Sequence, residues 1–434
     1  MTAGEKFDAI VVGAGPAGSA AAHTMAKAGL SVVVVERGEY PGAKNVMGGV
    51  MYGHMLAEVV PDFAETAPIE RVIVEERVWA TTVDAAVSIG HKSAHPHGRV
   101  PNAFTVLRAQ FDRWFAAQAE AVGAMLIPAT VVEDVIIRDG RVVGVRTGRE
   151  DGDLFADVVV LCDGVHSFLV KKAGLQNTDP APHQVALAVK EIIALPKETI
   201  EARFNVSGEE GVTIELYGAV TEGMGGYGFI YTNRESLSVG VGALLSHFMR
   251  TKITPYDLLE RMKRHPLVQP LIAGGRVVEY LAHAIPEGGY KAMPRLYGDG
   301  VLVAGDAAMM VNGLHREGSN LAMTAGRLAG ETVIEAKSRG DFSAAALASY
   351  RKRLEESFVL QDLRKYQDLP EFADGRADML QTYPELVNLA VHEMLTVDGR
   401  SKREKQRRIW KAIRARRSPW QLLKDGYEAW KVIR

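Results

Sequence analysis

The stretch Phe7-Asp8-Ala9-Ile10-Val11-Val12-Gly13-Ala14-Gly15-Pro16-Ala17-Gly18 decides the fold. An apolar run of strand length breaks into glycines spaced Gly-x-Gly-x-x-Gly, and an alanine-rich, helix-compatible stretch follows to Ala28, with Gly29 as its stop. Residues 31–35 are again apolar and mostly β-branched, ending at Glu36. This is a complete strand–turn–helix–strand unit, which predicts a parallel, doubly wound sheet. Its chemistry follows from geometry. Gly13 permits the tight turn, Gly15 lets the backbone approach a pyrophosphate, and Gly18 allows close helix–strand packing. The helix N-terminus offers free N–H groups and partial positive charge to phosphates. Glu36, at the end of the second strand, is placed to accept from ribose hydroxyls. The motif alone does not separate NAD from FAD.

Working outward, 434 residues predict two or three packed units, and 47% hydrophobic with 24% charged residues is ordinary for a soluble globular chain. The single cysteine, Cys162, excludes an intramolecular disulfide, a thiolate zinc site and an iron–sulfur cluster held by four cysteines of this chain. Residues 1–6 are short and polar with no leader pattern, and no run approaches 18 apolar residues, so the expectation is a cytoplasmic protein, with surface contact to a membrane left open. The net charge of −2 hides an asymmetry. Residues 399–434 hold 13 Lys/Arg against 3 Asp/Glu, an excess of ten positive charges that leaves about −12 on the rest.

Along the chain, residues 110–121 read as a helix burying Phe111, Trp114 and Phe115. Residues 129–145 alternate about a turn at Asp139-Gly140, and 157–161 is a second buried strand. From 184 to 242 the period shortens to alternating strands, predicting an inserted antiparallel sheet. Residues 301–304 return to the buried-strand pattern, and 318–337 form a helix of small residues. The expected division is a nucleotide-binding domain over 1–180, a substrate domain over 181–295, a return to the first domain over 296–337, and a basic helical region over 338–434.

Two further strands end in acid–glycine pairs, Cys162-Asp163-Gly164 and Ala304-Gly305-Asp306. With the glycine motif and the Arg108/Asp112 pair, they resemble the large family of FAD-dependent monooxygenases and reductases. The resemblance implies an α/β, Rossmann-like FAD-binding domain and FAD as the cofactor. It implies that Asp306 and Gly305 hold the ribityl chain, Asp163 and Gly164 pack near the pyrophosphate, and Arg108 reaches the phosphates. The stretch Asn312-Gly313-Leu314-His315-Arg316-Glu317-Gly318-Ser319-Asn320 then leads into a helix whose N–H groups would face the flavin N1–C2=O edge and favour anionic reduced flavin. Each single residue also has a bland reading: Asp163-Gly164 as a strand-end turn, Arg108 as a surface arginine, 315–317 as solvated loop charges.

The segment Glu36-Arg37-Gly38-Glu39-Tyr40-Pro41-Gly42-Ala43-Lys44-Asn45-Val46-Met47-Gly48-Gly49, the His315-Arg316-Glu317-Gly318 run and Ile285-Pro286-Glu287-Gly288-Gly289-Tyr290 narrow the resemblance. They resemble the electron transfer flavoprotein–quinone oxidoreductase family, in its short bacterial branch. The resemblance implies FAD contacts at Arg37, Gly48, Gly49, Arg316, Gly318, Ser319 and Asn320. It further implies electron transfer flavoprotein subunits as donor, a quinone as acceptor and, with one cysteine here, a separate small ferredoxin carrying the cluster, within a complex that bifurcates electrons in that branch. No second glycine fingerprint is present to seat a nicotinamide, so NADH is not expected as the direct donor. Tyr227 and Phe229, in a glycine-rich aromatic stretch, are candidate quinone contacts, with a core strand as the alternative. The basic C-terminus with Trp410, Trp420, Tyr427 and Trp430 predicts a membrane surface or an acidic ferredoxin as partner, and no nucleic-acid fold accompanies it. A lipid-double-bond reductase similar to geranylgeranyl reductases, and a non-catalytic FAD-holding scaffold, are the competing functions.

Overall fold

A computed structural model describes residues 6–45, 48–93 and 100–434. Residues 1–5, read above as carrying no leader, and Val46 and Met47 of the 36–49 segment lie outside the described residues. The structure falls into two compact units: Met1–Glu70, His97–Gln184 and Ile285–Gln367 form the first, and Arg71–Pro96, Val185–Ala284 and Asp368–Arg434 the second.

In the first unit the quoted stretch forms the strand Lys6–Val12 and the helix Pro16–Lys27, followed by the strand Val32–Val35. Lys6–Val12 is the centre of a sheet ordered Tyr297–Gly298, Val301–Val303, Asp153–Leu161, Lys6–Val12, Val32–Val35, Met125–Ile127. Of the five pairings in this order, the four from Val301–Val303 to Met125–Ile127 are parallel. Such strands are buried on both faces, which is why they read as continuous Val/Ile/Leu runs and not as alternation. The hairpin of Val132–Arg138 and Arg141–Thr147 turns at Asp139-Gly140, as the sequence predicts, and joins this sheet beside Asp153–Leu161. The helix Ser319–Arg339 packs on Pro16–Lys27 through small residues. A Cβ on Gly326 would strike the Ala17 carbonyl, and one on Gly330 would stand 2.9 Å from Thr24 Cβ. That glycine spacing explains the small-residue composition of this helix: closeness of two backbones, not flexibility.

The second unit holds a sheet ordered Arg276–Pro286, Val185–Ala194, Ser236–Leu244, Gly226–Thr232, Glu210–Gly218, Arg71–Thr81, with Ala86–Lys92 beyond it. The antiparallel pairing expected over 184–242 is present over 185–244, and one parallel pairing, Glu210–Gly218 with Arg71–Thr81, extends it. Its core, Ile214, Leu216, Ile230, Val239 and Val241 among others, is covered by the helix Pro255–Lys263 through Leu258, Leu259 and Met262.

Contacts group the chain differently from the division read off the sequence. The hairpin of Arg71–Thr81 and Ala86–Lys92 sits with the second unit, although it lies inside the stretch 1–180. The C-terminal helical stretch divides at 367/368 instead of starting a new region at 338, because Tyr350, Leu354, Val359, Leu360 and Leu363 belong to the first unit's core. Neither fact is visible locally, since a strand's sequence does not name the sheet it joins.

Candidate functional site

The glycine loop is built by steric necessity. Gly13 has φ +97°, and a Cβ there would strike the Cys162 carbonyl; a Cβ on Gly18 would strike the Gly13 carbonyl. A Cβ on Gly15 would instead meet nothing within 4 Å. The loop is therefore closed on its protein side and open where a pyrophosphate would sit against the helix N-terminus. Gly15 caps that helix without a side-chain hydrogen bond, and Pro16 occupies its first turn, so donor N–H groups remain for a ligand.

Glu36 has a structural duty as well as its expected one. Its Oε2 accepts from the Ala14 N–H at 2.9 Å and its Oε1 from the Gly38 N–H at 2.7 Å, which ties the second strand to the glycine loop. Ionised oxygens retain lone pairs beyond these bonds, so ribose hydroxyls remain compatible with Glu36. Arg37, next in the chain, lowers the Asp163 carboxyl electrostatically, against the larger opposing effect of burial.

Arg108 is buried. It forms a two-pronged pair with Asp112, Nε to Oδ1 and Nη2 to Oδ2, both at 2.8 Å, one helical turn apart. A Cβ on Gly48 would stand 2.8 Å from Arg108 Nη1, so the Gly48–Gly49 segment lies against this guanidinium. The surface-arginine reading is thereby excluded. Gly42, at φ +89°, is held against the carbonyl of Arg108 and Cβ of Asp112, which seats the 36–45 turn on the same helix.

Three carboxyls converge on this region with few protein partners. Burial pushes Asp163 up to about 6; its Oδ1 is buried without a hydrogen bond, and its Oδ2 takes only a 3.5 Å bond from the Leu169 N–H. Asp306 is likewise pushed up to about 6 by burial, with the Arg108 charge opposing. Among the described residues no side chain or N–H donates to the Asp306 carboxyl, although it is half-buried. Glu287 is driven up to about 7, chiefly by burial and then by the Asp306 charge. With the oxygens of Asp163 and Asp306 free to accept, the site fits a ligand rich in hydroxyl donors.

Gly305 turns at φ +69°, and Gly164 at φ +81° has open space at its Cβ position. Gly318 caps the helix Ser319–Arg339, whose first turn carries the buried Asn320 with an unpartnered Oδ1; Ser319 Oγ donates to the Val50 carbonyl at 3.4 Å. In the loop before it, Asn312 and Glu317 form an antiparallel bridge, and His315 Nε2 meets Tyr366 Oη at 3.0 Å. Ser167, Met309 and Arg316 are three of the nine non-glycine residues at positive φ among the described residues, and each follows one of these motifs. Backbone strain of this sort costs of order 1–3 kcal/mol per residue. No sequence pattern announces it.

All the expected cofactor residues lie in the first unit. Tyr227 and Phe229 lie in the second, on Gly226–Thr232. There Tyr217, Tyr227, Phe229 and Tyr231 form a continuous aromatic face, with successive ring centroids 5.7, 6.4 and 4.8 Å apart. It is the sheet face opposite the core residues Leu216 and Ile230. Phe229 is buried across Gly240, whereas Tyr227 keeps partial exposure.

Comparison with known proteins agrees with this geometry. Residues 6–201 match the FAD binding domain family, and residues 369–434 match the ETF-QO/FixC family C-terminal domain. A protein FixC of Bradyrhizobium diazoefficiens is 50% identical over 433 residues, covering 98% of this chain and 99% of that one. The chain belongs to the FixC family. A FixC of Azotobacter vinelandii is 48% identical, covering 99% of both chains, and one of Escherichia coli K12 is 45% identical, covering 91% of both. Among solved structures, a geranylgeranyl bacteriochlorophyll reductase-like protein of Thermoplasma acidophilum superposes with a TM-score of 0.74 at 20% identity, over 98% of this chain and 99% of that one. The flavin-dependent brominase Bmp2 gives 0.67 at 18% identity, over 90% and 92%. At these identities the structural likeness concerns the fold. The cofactor of this FixC-family chain is FAD, and the family is one of FAD-dependent oxidoreductases.

When bound, FAD supplies reversible two-electron chemistry. This chain's residues do the rest. The glycine loop and helix N-terminus would hold the pyrophosphate, Asp306 would accept from the ribityl hydroxyls, and the Ser319 helix end would present N–H groups where negative charge develops.

Proposed function

We propose that this chain accepts electrons onto FAD from an electron transfer flavoprotein and passes them to a quinone, as the FixC-type subunit of a FixABCX-like, bifurcating complex. The observation that carries this reading is FixC-family membership over the whole chain, including the C-terminal domain named for the quinone oxidoreductases. The aromatic face of Tyr217, Tyr227, Phe229 and Tyr231 supports it, since a flat apolar acceptor is bound by such surfaces. Cys162 is the one cysteine, so the reading assigns the complex's iron–sulfur centre to a separate small ferredoxin.

The C-terminal helices supply a surface for the membrane that holds the quinone. No described helix is long and apolar enough to cross a bilayer. Instead Trp420, Leu423, Tyr427 and Trp430 stand exposed along one stripe of Pro419–Ile433, and Trp410 is exposed on Lys402–Arg416. On that helix Arg403, Arg407, Lys411 and Arg414 repeat every three or four residues, exposed and without an ion pair among the described residues. Cations beside an aromatic stripe suit anionic headgroups, at about 1 kcal/mol per basic contact. These features support the reading of a protein peripherally bound at the inner face of the cell membrane.

The test is anaerobic reoxidation of the pre-reduced flavin, followed at its visible band while a quinone analogue is titrated in. A rate that saturates with quinone supports the reading. A slow rate rising linearly, unaffected by the ferredoxin, overturns it in favour of a lipid-double-bond reductase.

A further inference from the structure

Glu287 is a carboxyl that the site description above leaves without a task. Its backbone N–H donates to the Gln184 carbonyl at 2.8 Å, and neighbouring Pro286, Gly288 and Gly289 are buried, so the segment is fixed in place. The side chain is aimed at the loop between Asp306 and the Ser319 helix: a Cβ on Gly313 would collide with Glu287 Oε2. Among the described residues no donor hydrogen-bonds its carboxyl. The charged groups around it are few. Asp306 faces it from the segment after Val301–Val303, and Arg108 faces Asp306; the contacts from Gly313 and Gln184 are uncharged.

A carboxylate at such a position depends on water for its solvation. Asp306 needs its charge, because an ionised acceptor bonds ribityl hydroxyls best. A second carboxylate beside it has like-charge repulsion and no cation of its own. FAD held by Asp306 would displace solvent from neighbouring Glu287 and bring a diphosphate, a further negative group, into the same unit. Both changes penalise the ionised form. A neutral carboxyl costs far less and can donate to a flavin acceptor.

We propose that Glu287 is a positioning residue that closes the flavin site as a neutral carboxylic acid, so that FAD binding above neutral pH takes up one proton at this residue. The balance is simple: the carboxylate gains a proton from solvent as FAD enters and returns it as FAD leaves, and no electron moves. Because the free protein already holds Glu287 near neutrality, with its carboxyl raised to about 7, the linkage operates at physiological pH. The inference rests on FAD binding alone and is independent of donor and acceptor, so its failure leaves the proposed function standing.

The experiment is FAD release from the full-length holoprotein, followed by free-flavin fluorescence from about pH 6 to about pH 9, a window between the ordinary carboxylate and lysine ranges. In the wild-type protein Kd rises towards tenfold per pH unit above about 7, the limit for one linked proton. Glu287→Gln, neutral at every pH and of the same shape, keeps the low-pH Kd and abolishes the rise. A rise that persists in Glu287→Gln overturns the proposal, as does a Kd that does not change with pH in the wild type. Calorimetry of FAD binding at about pH 8 in two buffers of different ionisation enthalpy gives a readout without any variant. Uptake near one proton supports the proposal, and no uptake sinks it.

Discussion

Three ionisable side chains show how differently the two units use polar groups. In the second unit Arg71 is fully buried and fully employed. Its guanidinium donates to the carbonyls of Asn233 at 2.7 Å, Glu210 at 2.9 Å, Gly208 at 3.1 Å and Arg234 at 3.2 Å. In the first unit Asp306 and Glu287 are crowded by protein yet receive no hydrogen bond from it among the described residues. An arginine whose donors are all matched within the protein stabilises the fold. Acceptors left unmatched destabilise it and are tolerated where a ligand will match them. Polar satisfaction thus separates a structural charge from a functional one, where burial alone does not.

That contrast can be broken by mutation. The largest effect is expected at Arg71. Arg71→Met strands four carbonyls and should cost about 3–5 kcal/mol of stability in the second unit. Denaturant unfolding measures it, and the FAD content of whatever remains folded should be unchanged; a loss under 1 kcal/mol would mean the carbonyls find water instead. Asp306→Asn should do the reverse. Stability of the FAD-free protein stays level or rises, while FAD binds about 10–100-fold more weakly, matching the roughly 1.5–3 kcal/mol of a hydrogen bond to a charged acceptor. Equal losses of stability and affinity would refute the distinction.

A pH effect of moderate size sharpens it. The folded Asp163 carboxyl lies near 6 against an ordinary 3.8, so the folded state holds its proton more tightly. Its ionisation cost is therefore fully present above about pH 6 and relieved as the pH falls towards about 4, where the unfolded chain also protonates. Asp163→Asn should remove that share of the gain between pH 7 and pH 5, read as the difference in Tm between variant and wild type. The difference matters because Asp157, Asp374 and Asp425, all lowered by their cationic and hydrogen-bonding partners, act in the opposite sense.

The smallest stability effect is expected at the exposed C-terminal stripe. Trp420→Ser should change Tm by an amount equivalent to less than about 0.5 kcal/mol, yet weaken sedimentation with anionic vesicles. Unchanged vesicle binding would leave that face to a protein partner.

Much of the first unit was legible because its logic is local. The turn, the phosphate-facing helix and the acid at the strand end all lie within residues 7–36, where spacing alone dictates who meets whom. The Arg108/Asp112 pair entered through the family resemblance, and the structure shows it as an ion pair one helical turn apart. Cysteine arithmetic, too, needed no structure. Only the tertiary structure decided the rest. Arg71 finds its carbonyls 137–163 residues away, Glu287 meets Gly313 and Asp306 through chain reversals, and the strand Arg71–Thr81 pairs with Glu210–Gly218, far along the chain. Periodicity reports which face of an element is buried, not which partner buries it. Partners so distant in sequence are chosen by packing and by hydrogen-bond completion across the whole fold.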